Sequence, residues 1–164
     1  MLIGPGNAGK SMLAVELGKI LGLPVFHLDR IFWLPNWVEK ERHLFNEEQR
    51  SLVAKDRWII EGDFNKSYDI RAERADTIIY LNVPRRLLIP RFFKRVYRYR
   101  GRTRPDMTAG NHEKVNIDYL RWLYYYDRNV PMTLINKYRD SKEIYVFERP
   151  REIEAFLISL KSKR

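Results

Sequence analysis

The chain has 164 residues, 45% hydrophobic and 32% charged, a balance that fits one globular domain and excludes a disordered chain. Thirty-one Lys and Arg stand against 21 Asp and Glu, a net charge of +10, which favours nucleotides, nucleic acid or another anionic partner. There is no cysteine, which excludes disulfides, thiolate nucleophiles and cysteine zinc sites, and no apolar run reaches the ~18 residues of a membrane span.

Met1-Leu2-Ile3 reads as a very short first strand. Gly4-Pro5-Gly6-Asn7-Ala8-Gly9-Lys10-Ser11 then fits G-x-x-x-x-G-K-[ST], the phosphate-binding loop pattern. Glycines let successive backbone N–H groups face one point, and the following helix adds its positive end. Lys10 supplies a mobile charge for the outer phosphates, and Ser11 offers a hydroxyl to Mg²⁺. The predicted nucleotide cradle is therefore Gly4, Gly6, Asn7, Ala8, Gly9, Lys10, Ser11 and Met12. Met12, Leu13, Val15, Leu17, Ile20 and Leu21 give an amphipathic helix over 10–21.

Val25–Leu28 reads as a buried strand with Asp29 at its C-terminal end. An aromatic-rich connection with Phe32, Trp33 and Trp37 leads to a charged helix over 39–55. Trp58–Glu61 is the next strand, ended by Gly62-Asp63, and residues 64–75 are a loop or short helix. Thr77–Val83 is a buried strand closed by Pro84. Residues 85–104 are strongly basic, and Pro90 predicts a kink or a late helix start. Gly101, Pro105 and Gly110 mark a loop, followed by one helical stretch over 116–139 whose tyrosines pack on both faces. Ile144–Phe147 is the last strand and Pro150–Leu160 the last helix, trailing into Lys161-Ser162-Lys163-Arg164.

Strands and helices alternate, which predicts an α/β fold with a parallel sheet of about five strands. Ligands in such folds bind beyond the C-terminal strand ends, where Gly4, Asp29, Glu61 and Val83 fall. Asp29 is placed to orient an acceptor hydroxyl or bind a Mg²⁺ water; the alternative is a helix cap or a partner for a local arginine. Arg91, Arg95, Arg98 and Arg102 share one helical face at i, i+4, i+7 and i+11. The expectation is a single cytoplasmic domain over 1–164, a three-layer sandwich with a small basic lid over about 98–115, hinged at Gly101 and Gly110.

These motifs resemble the adenylate-kinase-like branch of P-loop proteins. The runs His27-Leu28-Asp29-Arg30-Ile31-Phe32-Trp33 with Trp37, and Trp58-Ile59-Ile60-Glu61-Gly62, are more narrowly similar to the DNA topology modulation (FlaR-type) proteins. The resemblance implies ATP and Mg²⁺ as cofactors and a small-molecule acceptor. It implies that Arg91 stacks on adenine, that Arg95 contacts phosphate, and that Arg121, ten residues before Pro131, reaches the transferring phosphoryl group. It also implies that Glu61 holds a Mg²⁺-bound water. The predicted catalytic set is Lys10, Asp29, Arg95 and Arg121, with Ser11 and Glu61 at the metal. One departure stands out: no arginine follows the strand-three acid until Arg71, so the usual holder of an acceptor phosphate is missing. The alternatives to a phosphotransferase are a nucleotide-dependent DNA-binding protein and an ATPase-type sensor.

Overall fold

The computed structural model describes residues 1–162; Lys163 and Arg164, the end of the basic tail, lie outside it. In chain order, β1 (Leu2–Ile3) leads through the Gly-rich loop into α1 (Lys10–Leu21). Then come β2 (Val25–His27), α2 (Leu28–Phe32) and a small antiparallel hairpin of β3 (Trp33–Leu34) and β4 (Val38–Glu39). α3 (Arg42–Val53), β5 (Ile59–Glu61), α4 (Tyr68–Ala72) and β6 (Thr77–Leu81) follow. α5 (Arg85–Arg98) and α6 (Ile117–Tyr124) flank a long connection, and α7 (Asn129–Tyr138), β7 (Glu143–Phe147) and α8 (Pro150–Ser162) complete the chain.

Five parallel strands form one sheet in the order β2-β5-β1-β6-β7, as the alternating pattern predicts. β1 is only two residues long yet central: Leu2 sits opposite Glu61 of β5 and Ile79 of β6. The period-two alternation of strands divides the core into layers. Leu2, Ile59, Ile79 and Leu81 join α1 and α5 through Leu13, Leu17, Leu88 and Phe92. Ile3, Ile78 and Tyr80 point the other way, to Tyr68, Leu134 and Ile135 of α4 and α7. Leu28, Phe32 and Phe45 of α2 and α3 close over Ile60. The result is helices on both faces of a sheet whose strand ends all point at one rim.

Four local expectations change. β2 stops at His27, so Asp29 lies in the first turn of α2 rather than on the strand. α5 starts directly after Pro84 and runs through Pro90 to Arg98. Pro90 faces solvent, while Leu88, Phe92 and Val96 on the inner face hold the helix across the missing amide donor. The single helix expected over 116–139 is two, because Asp127 Oδ1 accepts the Asn129 N–H at 2.9 Å and starts α7 afresh. Pro131 then sits in the first turn of α7, where no intrahelical donor is needed. Finally, the three tyrosines are not all core: Tyr126 is buried, but Tyr124 and Tyr125 face solvent.

Candidate functional site

The Gly-rich loop is held at its root by one carboxylate. Gly4 N donates to Asp63 Oδ1 at 3.0 Å, and the same oxygen accepts from the hydroxyls of Tyr68 at 2.5 Å and Tyr126 at 2.9 Å. Gly4 has φ +132°, and a Cβ there would lie 2.6 Å from the Leu81 carbonyl oxygen, so only glycine fits. Asn7 and Gly9 also have positive φ, which curls the loop before α1 begins at Lys10. Such a curl turns consecutive amides inward at a helix N-terminus, an anion-binding concavity.

Lys10 Nζ folds back over this loop and donates to the carbonyls of Gly4 at 2.9 Å and Pro5 at 3.0 Å. Ser11 Oγ lies 3.0 Å from Glu61 Oε1 and 2.9 Å from Asp106 Oδ2, its one proton shared between two carboxylates. Glu61 is buried at the end of β5 and also pairs with His27 Nδ1 at 2.7 Å, a contact that raises the imidazole's affinity for its proton. Burial, reinforced by the charge of Glu61, pushes the Asp29 carboxyl up from 3.8 to about 6. A carboxylate with that value is mostly ionised at neutral pH yet basic enough to take a proton.

α5 and the connection behind it bring arginines over the loop. Arg91 Nη1 reaches the carbonyls of Asn7 at 3.4 Å and Ala8 at 3.3 Å. The Arg95 guanidinium lies over the rings of Tyr119 and Phe92, 5.2 and 5.5 Å from their centroids. Tyr119 itself leans on Gly6, where a Cβ would meet its hydroxyl at 1.8 Å. Arg104, from the connection, pairs with Asp106 at 3.1 Å and Glu113 at 2.6 Å. The connection is pinned to the hairpin side by Thr108 Oγ1 to the Arg30 carbonyl at 2.8 Å, Asn111 Nδ2 to the Leu34 carbonyl at 3.0 Å and Trp37 Nε1 to the His112 carbonyl at 3.1 Å. It therefore spans the site from α5 to the β3–β4 hairpin.

The structure thus brings together Gly4 through Ser11, Asp29, Glu61, Arg91 and Arg95. It leaves the Met12 side chain exposed on the outer side of α1. Arg121 is exposed as well and stands 3.7 Å from Asp118. Arg98, Arg100 and Arg102 also face solvent. Arg71, the first arginine after β5, is fully buried and spends its guanidinium on the carbonyls of Gly62 at 2.8 Å and Phe64 at 3.3 Å. Sequence reasoning missed Asp106 and Glu113. The signal available was that they are the two acids in an otherwise basic stretch over 101–114.

Among the described residues, no three His, Asp or Glu side chains converge to hold a metal by themselves. The Ser11 hydroxyl between two carboxylates is instead a set of hard oxygens, which suits Mg²⁺ completed by phosphate and water. A cavity of about 390 Å³ lies at the opposite rim of the sheet, lined by Met1, Leu17, Trp58 and Tyr145, and shares no residue with the Gly-rich loop.

No family description matches the chain, and no curated protein matches it. Solved structures do. A deoxyadenosine kinase from M. mycoides, with dCMP and dCDP bound, is 15% identical over 99% of this chain and 96% of its own, with a TM-score of 0.56. The shikimate kinase of Acinetobacter baumannii, in complex with shikimate, is 21% identical over 99% and 92%, with a TM-score of 0.56. The shikimate kinase of Aquifex aeolicus is 18% identical over 99% and 95%, with a TM-score of 0.51. The fold is that of P-loop kinases.

Proposed function

We propose that this chain is an ATP- and Mg²⁺-dependent phosphotransferase of the nucleotide and small-molecule kinase type. One observation carries the reading: Lys10 and Ser11 on the loop face Arg91, Arg95 and Arg104, brought over it from α5 and the connection. Phosphoryl transfer asks for in-line positioning and charge neutralisation more than for covalent help. The loop amides and Lys10 bind the β- and γ-phosphates. Ser11, and Glu61 through water, hold Mg²⁺, which when bound neutralises phosphate charge. Arg91 covers the adenine and Arg95 the transferring group. Arg104 takes the place that the family resemblance gave to Arg121. For a hydroxyl acceptor, its oxygen bonds to the γ-phosphorus as the bond to the β,γ-bridging oxygen breaks. ADP leaves with that electron pair, and the acceptor's proton passes to Asp29.

The fold shared with kinases named for deoxyadenosine and for shikimate supports this reading. The motifs His27–Trp33 and Trp58–Gly62 further lead us to group the chain with the FlaR-type proteins. Titrating MgATP by calorimetry tests the donor site. Lys10→Ala is expected to weaken binding about tenfold or more; equal affinity of the two proteins contradicts the assignment.

A second reading, nucleotide-dependent binding of single-stranded nucleic acid, is favoured by a different surface. Phe93, Tyr97, Tyr124 and Tyr125 are exposed beside Arg85, Arg86, Lys94 and Arg98, the composition of a stacking platform with phosphate partners. Arg85 lies 5.2 Å over the Tyr124 ring. Oligonucleotide affinity that falls steeply with salt and is lost in Tyr97→Ala/Tyr125→Ala supports it; no binding at low salt removes it.

A further inference from the structure

The connection between α5 and α6 carries a chain of alternating charges that neither the loop motif nor the family resemblance assigns. It runs Ser11, Asp106, Arg104, Glu113, Arg95. Ser11 Oγ is 2.9 Å from Asp106 Oδ2, and that oxygen is 3.1 Å from Arg104. Arg104 Nε is 2.6 Å from Glu113 Oε1, and Glu113 Oε2 is 3.4 Å from Arg95 Nε. Glu113 is buried, with its side chain 2% exposed.

We infer that Glu113 is a positioning residue for phosphoryl transfer, holding Arg95 and Arg104 over the loop and tying their placement, through Asp106, to the hydroxyl of Ser11. The inference rests on the phosphotransferase reading above. A carboxylate so deeply buried is costly unless paired, and one arginine would suffice to pair it. Glu113 takes two, from different parts of the fold. Two guanidiniums this close to each other repel, and the carboxylate between them offsets that repulsion. The anchor is itself fixed: Glu113 N donates to the Arg102 carbonyl at 3.1 Å, and Glu113 forms a bridge with Arg100. Glu113 is therefore the fixed point, and the arginines are what it fixes.

Both arginines are held by charge rather than by directed hydrogen bonds: Arg104 Nε is 2.6 Å and Arg95 Nε 3.4 Å from Glu113, yet neither Nε makes a well-directed hydrogen bond. The Arg95 fork makes one long contact, Nη1 to the Tyr119 hydroxyl at 3.5 Å, which a phosphate can replace. Pre-organised charge of this kind acts on the transition state rather than on ground-state binding. The Asp106 contact adds a coupling. Any ion or phosphate that engages Ser11 must displace or recruit Asp106, and Arg104 and Glu113 feel the change.

A mutant cycle tests this, read as ADP release from MgATP with water as the acceptor. Glu113→Gln keeps the shape and removes the charge. It is expected to lower kcat about 10–100-fold with little change in KM. The affinity for MgADP, which lacks the γ-phosphate, stays within about twofold, measured well below the melting temperature because the unpaired arginines lower stability. In the cycle, adding Glu113→Gln to a variant that already carries Arg95→Gln and Arg104→Gln lowers the rate no further than about threefold, because Glu113 acts through those two arginines. Additive losses, an unchanged kcat in Glu113→Gln, or an equal loss of MgADP affinity overturns the inference. Should Glu113→Gln fail to fold, Glu113→Asp retains the charge but withdraws it, and a kcat equal to the wild type's overturns the claim instead. The two readings fail differently. If wild-type ADP release does not depend on Lys10, the phosphotransferase reading fails and this one with it. If it does and Glu113→Gln matches the wild type, only the positioning role fails.

Discussion

Replacing Asp63 with alanine removes the single oxygen on which the root of the nucleotide loop hangs. That oxygen accepts from Gly4 N at 3.0 Å, Tyr68 at 2.5 Å and Tyr126 at 2.9 Å. A hydrogen bond to a charged group is worth roughly 1.5–3 kcal/mol net, and a buried donor left alone costs a comparable amount. Asp63 is half-buried, so water reaches part of the space and the low end applies. Three bonds then give a loss of about 4 kcal/mol, or a fall in Tm of roughly 8–16 °C in a chain of this size. Asp63→Asn keeps an acceptor without the charge and is expected to lose about half as much. Urea unfolding followed by far-UV circular dichroism measures both. MgATP titration well below Tm adds a functional arm, because the freed Gly4 amide loosens the loop. A loss under about 1 kcal/mol for Asp63→Ala would refute the claim that this carboxylate anchors the loop.

Three further outcomes follow from the same geometry. Gly4→Ala forces a Cβ to within 2.6 Å of a backbone carbonyl that cannot swing aside. It is expected to destabilise by about 3 kcal/mol in urea titration, and wild-type stability would show that the loop root tolerates rearrangement. Asp29 makes stability fall with pH in an acid window. Its folded value of about 6 exceeds the ordinary 3.8, so the folded state holds the proton more tightly and its advantage, full below about 4, is lost as pH rises through 6. Comparing urea midpoints at pH 4.5 and 7, Asp29→Asn should flatten this slope by about 1 kcal/mol relative to the wild type, after allowing for its partial exposure; parallel slopes would show that the carboxyl is not desolvated. Lys10→Ala is expected to abolish ADP formation while leaving Tm nearly unchanged, since its ammonium contacts only loop carbonyls; retained turnover would move the chemistry elsewhere.

The sequence made the donor side of the site legible because its signal is local. Gly4 through Ser11 must curl in one way whatever surrounds them, and the strands β2, β5, β6 and β7 announce themselves as short apolar runs between turn residues. Arg91 and Arg95 follow from helical spacing, since a shared face on α5 survives even a proline at 90. The acceptor side and the connection were not legible, because their contacts join residues 70 to 100 positions apart. Nothing near Asp106 in the chain says that it meets Ser11, and nothing near Asn111 says that it binds Leu34 and Trp37. Arg121 shows the same limit from the other side. Its spacing to Pro131 matches a known pattern, but the break at Asp127 splits the helix, and Arg121 stands in solvent beside Asp118. Arg71 lies beyond pattern reading as well: a buried arginine serving carbonyls and an exposed one awaiting a phosphate are spelled alike.

The central claim is that the loop and its arginines transfer the γ-phosphoryl group of ATP to a small acceptor. ADP formation from MgATP tests it most directly, measured across nucleosides, nucleoside mono- and diphosphates, small hydroxy acids, other small metabolites and 5′-hydroxyl oligonucleotides, with a no-acceptor blank and Lys10→Ala beside each. The account predicts that one acceptor class raises the rate well above the blank and that the rise vanishes in Lys10→Ala. A flat panel despite tight ATP binding, or a rise that survives in Lys10→Ala, would contradict it.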